Sequence, residues 1–138
     1  MTERRQEMVK EVKLSKEIVV TVANKIGILA DISKLMAQQG INIEAVAGYA
    51  AGNEARIMLV TQDHGKAVDI LKKSNYTSIK ENEVIVVGME NEPGALKDIT
   101  AKMASEMIDM KQIYGSACTA GCPAKIIIST TDNQKALA

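Results

Sequence analysis

The sequence of 138 residues contains no phenylalanine and no tryptophan, and tyrosine occurs only three times. Sheets that stack nucleic-acid bases need aromatic side chains, so this shortage disfavours nucleic-acid recognition. An excess of charge of one sign is also missing, because 17 basic residues balance 17 acidic ones. Without a basic surface to hold a phosphate backbone, we expect no nucleic-acid partner.

Long apolar runs are absent too. No stretch approaches the length of a membrane span, and the N-terminus lacks the apolar core of a signal peptide. These absences predict a cytoplasmic protein with no membrane partner. The single histidine, His64, excludes a relay of several histidines, the acidic residues are scattered, and no Gly-x-x-x-x-Gly-Lys-Ser/Thr loop is present. The sequence therefore predicts neither enzyme activity nor a cofactor.

Cysteine is scarce, with only Cys118 and Cys122, four positions apart. Two thiols and one histidine from a distant part of the sequence cannot complete a tetrahedral zinc site, so we expect no metal centre. Two interpretations of the pair stay open: a redox couple, or two reduced thiols in a surface loop.

What the sequence does contain is a repeat. Residues 18–32 return as residues 85–99, offset by 67 positions (85 − 18). The matched pairs include Asn24 with Asn91, Gly27 with Gly94, Met36 with Met103 and Ile41 with Ile108. Such self-similarity indicates a duplicated domain. We predict an N-terminal arm over residues 1–15, a first domain over 16–82 and a second domain over 83–138.

Hydrophobic periodicity gives both copies the same order of elements. The β-branched run at 18–23 predicts a strand, and apolar residues at helical spacing from Ile28 predict an amphipathic helix that ends at Gly40. The rest of the first copy is predicted as strands over 41–49 and 55–61, a helix over 65–74, a weak strand over 76–80 and a turn at 81–83. This order is the ferredoxin-like βαββαβ unit of the α+β class.

The ends of the sequence and the third strand need separate interpretation. Residues 1–11 are charged and mixed, and we interpret them as a frayed helix or an arm. The second copy stops inside its second helix and lacks its last strand; either the sequence is shortened, or the N-terminal arm or another chain supplies that edge. Apolar residues on both faces of the third strand, such as Ile57 and Met58, predict a partly covered helix-free face. A sheet of the same chain or of a partner is the simplest cover.

The repeated motif resembles that of the ACT domain. In both copies a short strand is followed by Asn-x-x-Gly-x-Leu at the start of a helix, and the sequence Gly-Ile-Asn-Ile at 40–43 starts the next strand. The ACT domain is a small ferredoxin-like module that senses amino acids in biosynthetic enzymes and regulators. The resemblance extends over both copies and implies a stand-alone tandem ACT protein. Its amino-acid effector would bind at the strand-to-helix loop, where two ACT domains meet.

The resemblance implies a ligand site in each copy. Its residues are Asn24, Ile26, Gly27, Ile28, Leu29, Asn42 and Ile43 in the first copy, and Asn91, Pro93, Gly94, Ala95, Leu96, Asp109 and Met110 in the second. Elementary chemistry supports this site, because glycine lets a ligand approach closely and the amides of a first helical turn suit a carboxylate. Asparagine offers a donor and an acceptor to an amino-acid zwitterion. Because Asp109 stands where the first copy has Asn42, we expect unequal binding.

Other interpretations of these residues remain open. Asn24 could cap its helix, Gly27 could serve only the tight turn, and Pro93 could only pre-set the helix start. For the whole protein we expect a homodimer that signals through its assembly state, with a possible enzyme partner in trans. The alternatives are a ligand-free assembly module or regulatory subunit of an amino-acid biosynthetic enzyme, and a redox protein that uses its two thiols.

Overall fold

A computed structural model describes residues 9–90, 93–116, 124–133 and 136. Its six antiparallel strands and three helices are, in chain order, β1 Val9–Ala23, α1 Ile28–Gln38, β2 Ile43–Ala51, β3 Glu54–Thr61, α2 His64–Lys73, β4 Ile79–Met89, α3 Ala95–Ser105, β5 Met110–Ser116 and β6 Ala124–Thr130. The predicted α+β class with ferredoxin-like units is confirmed. No helix in the described part of the chain has the length and apolar character needed to cross a membrane.

The chain divides into two compact units. The first unit is Lys16–Asn82, and the second combines Glu83–Ala138 with Met1–Ser15. Strand β1 therefore belongs to the second unit up to Ser15 and to the first unit from Lys16 onward.

The first unit has the strand order β2-β3-β1, with the beginning of β4 beside β1. Ile18 of β1 and Val46 of β2 both pair with Leu59 of β3. Next to β1, the amide of Thr21 donates to the carbonyl oxygen of Ser78 at 3.0 Å. Helices α1 and α2 pack on one face through a buried apolar cluster, which consists of Ile18, Val20, Ile32, Met36, Ile41, Ile57, Leu59, Ala67, Val68 and Leu71.

The second unit repeats this order with β5-β6-β4 and the first part of β1. Ile128 of β6 pairs with Ile85 of β4 and with Ile113 of β5. A Cβ built on Gly88 of β4 would lie 3.6 Å from the Cβ of Glu11, so residues 9–15 run beside β4. Of the alternatives for the missing fourth strand, the N-terminal segment supplies it in this structure.

Two predicted elements are wrong. The segment over 1–11, interpreted as a frayed helix or an arm, is a strand from Val9 onward, because this part of the chain runs beside β4. The turn at 81–83 does not exist, because β4 continues through these polar residues. Asn82 is tolerated in the strand because its Nδ2 donates to Oε1 of Glu17 at 3.3 Å, and Glu17 is only 1% exposed.

Strand β3 is buried on both faces. Ile57 and Leu59 lie in the cluster under the helices, and Met58 and Val60 on the opposite face are 6% and 1% exposed. The prediction of a covered helix-free face, made from the apolar residues on both sides of this strand, is confirmed.

All three helices end in the same hydrogen-bonded turn around a left-handed residue. That residue is Gly40 after α1, Asn75 after α2 and Met107 after α3, with φ of 69°, 72° and 56°. In each case its amide donates to the carbonyl three residues earlier, and the next amide donates to the carbonyl five residues earlier. This is the Schellman motif, in which a left-handed residue satisfies the last carbonyls of a helix.

Candidate functional site

The strand-to-helix loop of the first unit leaves a helix start uncapped. Gly27 stands at the N-cap position with φ 89° and ψ 2°, a conformation that glycine adopts without steric cost. The first helical hydrogen bond is donated by the amide of Asp31 to the carbonyl of Gly27 at 2.9 Å. The amides of Ile28 and Leu29 thus have no intrahelical acceptor, and no side chain in the described residues caps this helix.

The side chains around this loop are exposed. Asn24 is exposed, and its backbone amide donates to the carbonyl of Asn53 at 2.8 Å. Its side chain does not cap α1, so the helix-capping interpretation is wrong for this residue. Ile26 is fully exposed and Leu29 is 45% exposed, whereas Ile28 is partly buried against the core of the unit.

The loop of the second unit has the same geometry. Gly94 is the N-cap with φ 93° and ψ −17°, and its carbonyl accepts from the amide of Asp98 at 3.0 Å. Again no described side chain caps the helix. Pro93 is exposed, Ala95 is buried and Leu96 is 48% exposed. Asn91 lies outside the described residues.

The remaining site residues lie elsewhere in each unit. Asn42 is exposed, and its carbonyl accepts from Gln62; Asp109 is likewise exposed, and its carbonyl accepts from Thr131. Ile43 and Met110 are partly buried and pack on the apolar clusters of their units. The repeat thus extends to these backbone contacts, while the exposed side chain changes from an amide to a carboxylate.

Within one unit the predicted residues do not form a single site. β1 ends at Ala23 opposite Glu54, the first residue of β3, whereas β2 begins at Ile43 opposite Thr61, the last residue of β3. Asn24 and Asn42 therefore lie at opposite ends of the sheet, roughly 20 Å apart at 3.3 Å per residue. A ligand that contacts both types of residue needs a second domain.

A groove opens behind the loop of the first unit and was not predicted from the sequence. It has a volume of about 480 Å³ and is lined by residues 21–23 at the end of β1, by Lys25 and Ile28, and by residues 74–77 between α2 and β4. Of the predicted site residues, only Ile28 lines it. The left-handed Asn75 is a common helix-terminating choice. An asparagine at this position of the sequence indicates a helix-ending turn, but it does not indicate a binding surface.

Lys25 and Tyr76 line this groove, and Asp31 lies next to Lys25. Lys25 Nζ lies 4.0 Å from Oδ2 of Asp31, and the two side chains are 65% and 59% exposed. Tyr76 lines the groove and packs on the core of the unit. Burial raises the pKa of the Tyr76 hydroxyl, and the negative charge of Asp31 raises it further. The phenol therefore stays protonated near neutral pH and can donate a hydrogen bond.

The single histidine has a structural partner. His64 Nε2 contacts Oε1 of Glu81 at 2.5 Å, which joins the start of α2 to β4. This hydrogen bond lowers the pKa of the Glu81 carboxyl. In the second unit Asn133 stands at the position that matches His64. Its Nδ2 donates to the carbonyl of Glu83 at 3.0 Å.

No chemistry of thiols or metals is visible in the described residues. Among them, histidine, cysteine, aspartate and glutamate side chains nowhere gather in groups of three that could hold a metal ion. Cys118 and Cys122 fall outside the described residues.

Both units have the strand order and the glycine-capped loop of an ACT-type domain. The family model described as the AHAS small subunit-like ACT domain matches residues 18–75. This segment is an ACT domain, and the resemblance predicted from the sequence is confirmed. No curated protein sequence matches the chain.

Solved structures share the fold over most of the chain. Protein BT0572 from Bacteroides thetaiotaomicron is 21% identical with a TM-score of 0.82, over 91% of this chain and 85% of that one. The regulatory subunit of aspartate kinase from Thermus thermophilus is 14% identical with a TM-score of 0.65, over 94% of each chain. A structure of aspartokinase alpha and beta subunits is 19% identical with a TM-score of 0.60, over 88% of each chain. The fold is thus one that regulatory subunits adopt.

Proposed function

We propose that this protein is a regulatory module without catalytic activity that binds a free amino acid or a similar small metabolite. The observation that carries the proposal is the pair of uncapped helix starts at Gly27 and Gly94. Helix N-terminal amides and the positive end of the helix dipole stabilise a carboxylate. Residues 18–75 match the ACT domain, and this match supports the same class of ligand.

The opposite placement of Asn24 and Asn42 supports a homodimer. In a two-fold symmetric pair, the same surface of each chain is used, and adjacent elements run in opposite directions. Pairing through the β2 edge would set the Asn24 loop of one chain beside Asn42 of the other. The residues of β2 suit such pairing, because Glu44 is its only charged residue and Val46 and Tyr49 are 47% and 50% exposed.

Signalling would follow from linkage. A ligand that bridges two chains stabilises one assembly relative to others, by no more than its difference in affinity for the two states. The second copy would contribute less for a carboxylate ligand, because Asp109 replaces the amide of Asn42 with a negative charge. The response would be passed to an enzyme partner in trans, in the cytoplasm.

A second candidate function is a regulatory subunit of an amino-acid biosynthetic enzyme that assembles without a ligand. The fold of the chain favours this candidate, because it is similar to that of a regulatory subunit of aspartate kinase and of aspartokinase alpha and beta subunits. The β2 edge, with Glu44 as its only charged residue, is equally suited to a different chain. The two candidates differ in one measurable property, which is the response to free amino acids.

Thermal unfolding of the full chain with each of the twenty amino acids tests the first candidate. A ligand at about 100 times its Kd adds about 2.7 kcal/mol to the free energy of unfolding. We expect one amino acid to raise the midpoint, and Asn24→Ala and Asn42→Ala each to reduce the rise. If none of the twenty changes the midpoint, the ligand-free candidate is favoured.

Mixing the two variants tests the bridging geometry. A heterodimer of Asn24→Ala and Asn42→Ala chains contains one site with both alanines and one site with both asparagines. We therefore expect the mixed sample to regain binding at one site per dimer, while each variant alone stays weak. If mixing restores nothing, the two asparagines do not meet across a dimer.

A further inference from the structure

The groove behind the Asn24 loop has the size of a small-molecule site. Its volume of about 480 Å³ lies within the range of ligand pockets in proteins, and every residue that lines it belongs to the first unit. It is therefore complete in one copy of this unit, unlike a site that requires both Asn24 and Asn42.

The walls of the groove are held by backbone hydrogen bonds. The amides of Ser74, Asn75 and Tyr76 donate to carbonyls in the last turn of α2, and the amide of Thr21 donates to Ser78. The loop between α2 and β4 is thereby fixed to both the helix and β1. Because these backbone amides are already hydrogen-bonded, a ligand would contact the side chains of this loop. They include the hydroxyl groups of Ser74 and Tyr76.

Lys25 lines this groove, and the negative charge of Asp31 lies beside it without lining the groove itself. Lys25 and Asp31 are 4.0 Å apart and mostly exposed, and such an ion pair contributes little to stability. Exchanging it for two contacts with a ligand therefore costs little. An α-amino acid carries its carboxylate and its ammonium group on the same carbon atom, so its two opposite charges lie close together, as those of Lys25 and Asp31 do.

The second copy lacks these features at the matching positions. With the offset of 67, Lys25 corresponds to Glu92 and Thr21 to Gly88, while Asp31 is retained as Asp98. The positive member of the pair is thus replaced by a negative residue. The pair of opposite charges is therefore not repeated at the matching positions of the second copy.

We propose that the groove of the first unit binds a free α-amino acid as a zwitterion, with its carboxylate on Lys25 and its ammonium group on Asp31. Ser74 and Tyr76 donate further hydrogen bonds to the carboxylate, and Val22 and Ile28 contact the aliphatic part of the ligand. The inference rests on the proposed function only for the ligand class. The groove is a separate site that needs no second chain.

Calorimetric titration of the full chain tests the groove, with the amino acid that most raises the melting midpoint as the probe. We expect Lys25→Glu and Asp31→Asn each to weaken binding about tenfold, the effect of losing one charge-assisted contact. Tyr76→Phe removes a hydroxyl group from the groove lining and should weaken binding without altering the Asn24 loop. Lys34→Glu is the matched control, because Lys34 is an exposed lysine on α1 that does not line the groove.

Ligand analogues identify which charge meets which residue. The amide of the same amino acid lacks the carboxylate, so Lys25→Glu should no longer weaken its binding. The corresponding α-hydroxy acid lacks the ammonium group, so Asp31→Asn should no longer weaken its binding. Equal losses with the amino acid and with both analogues would overturn the assignment of the charges.

The outcomes separate this inference from the proposed function. If Asn24→Ala and Asn42→Ala abolish binding while Tyr76→Phe, Lys25→Glu and Asp31→Asn leave Kd within about twofold, the groove is overturned and the bridging site stands. If Tyr76→Phe, Lys25→Glu and Asp31→Asn weaken binding while Asn24→Ala and Asn42→Ala do not, the groove is supported and the bridging site is overturned. If no amino acid binds at all, both are overturned.

Discussion

Met107, which follows α3, has a left-handed backbone conformation. Residues with a side chain adopt this conformation only at an energetic cost. A non-glycine residue in the left-handed region costs about 1–2 kcal/mol, and Met107 has φ 56°. Its side chain is 89% exposed, so its removal loses little packing. Glycine adds freedom to the unfolded chain, which offsets about 0.4–1 kcal/mol. We therefore expect Met107→Gly to raise the free energy of unfolding by about 0.5–1 kcal/mol.

Urea unfolding followed by circular dichroism measures this change. Met107→Ala is the matched control, because it removes the side chain and keeps the unfavourable dihedral; its effect should stay within about 0.5 kcal/mol. Gly40→Met is the reciprocal variant at the same position of α1. A Cβ at Gly40 meets no atom within 4 Å, so the expected loss of about 0.5–1 kcal/mol comes from the dihedral alone.

Two results for Met107 and Gly40 would contradict the expected changes. If Met107→Ala stabilises the protein as much as Met107→Gly, the gain comes from the exposed side chain and not from the backbone. If Gly40→Met is neutral, the left-handed residue at the end of these helices is not strained. Either result would contradict the dihedral argument.

Three further predictions concern the first unit. Leu59→Ala, at a fully buried position, should cost about 2–5 kcal/mol in urea unfolding. Asp63→Ala removes the side-chain acceptor of the Lys66 amide at the start of α2 and should cost about 1 kcal/mol in the same assay. The hydrogen bond from His64 lowers the pKa of Glu81, so the stabilisation it gives is complete above the ordinary pKa of 4.5 and is lost as the pH falls through the lowered pKa. Glu81→Gln should therefore flatten the acid-side decline of the unfolding midpoint.

Each of these predictions has a contradicting result. A loss below about 1 kcal/mol at Leu59 would mean that the core collapses around the missing side chain. An unchanged stability in Asp63→Ala would show that water replaces the cap. A decline between neutral and acid pH that is identical in wild type and Glu81→Gln would remove Glu81 from the pH response.

The repeat made much of the fold predictable, and local chemistry explains the two errors. Outside residues 9–15 and 81–83, apolar periodicity and the repeat predict the described helices and strands, because each element has a face to bury. The polar residues at 81–83 suggested a turn, since the sequence does not reveal that the buried Glu17 accepts a hydrogen bond from Asn82. Residues 9–15 are rich in charge and keep no strict strand period, with apolar residues at 9, 12 and 14, so only their pairing beside β4 decides that they form a strand.

The candidate site was predictable only in part. Both glycines of the Asn-x-x-Gly motif take the left-handed conformation at a helix start, as a glycine at a tight turn allows. Sequence order could not show that Asn24 and Asn42 lie at opposite ends of the sheet, because that depends on strand register. Nor could it bring Lys25 to a groove whose other wall, around Tyr76, is distant in the chain.

The sharing of β1 between the units has a consequence for biosynthesis. Glu11 and Gly88 are neighbours in the second unit although 77 positions (88 − 11) separate them in the chain. Contacts of such long sequence separation form slowly, and strand edges that wait for a partner are prone to aggregation. During translation, residues 9–15 are made before the first unit, yet Gly88 and the rest of their partner segment in β4 follow only after that unit. We therefore expect correct folding of the second unit to depend on how well residues 9–15 are shielded until then.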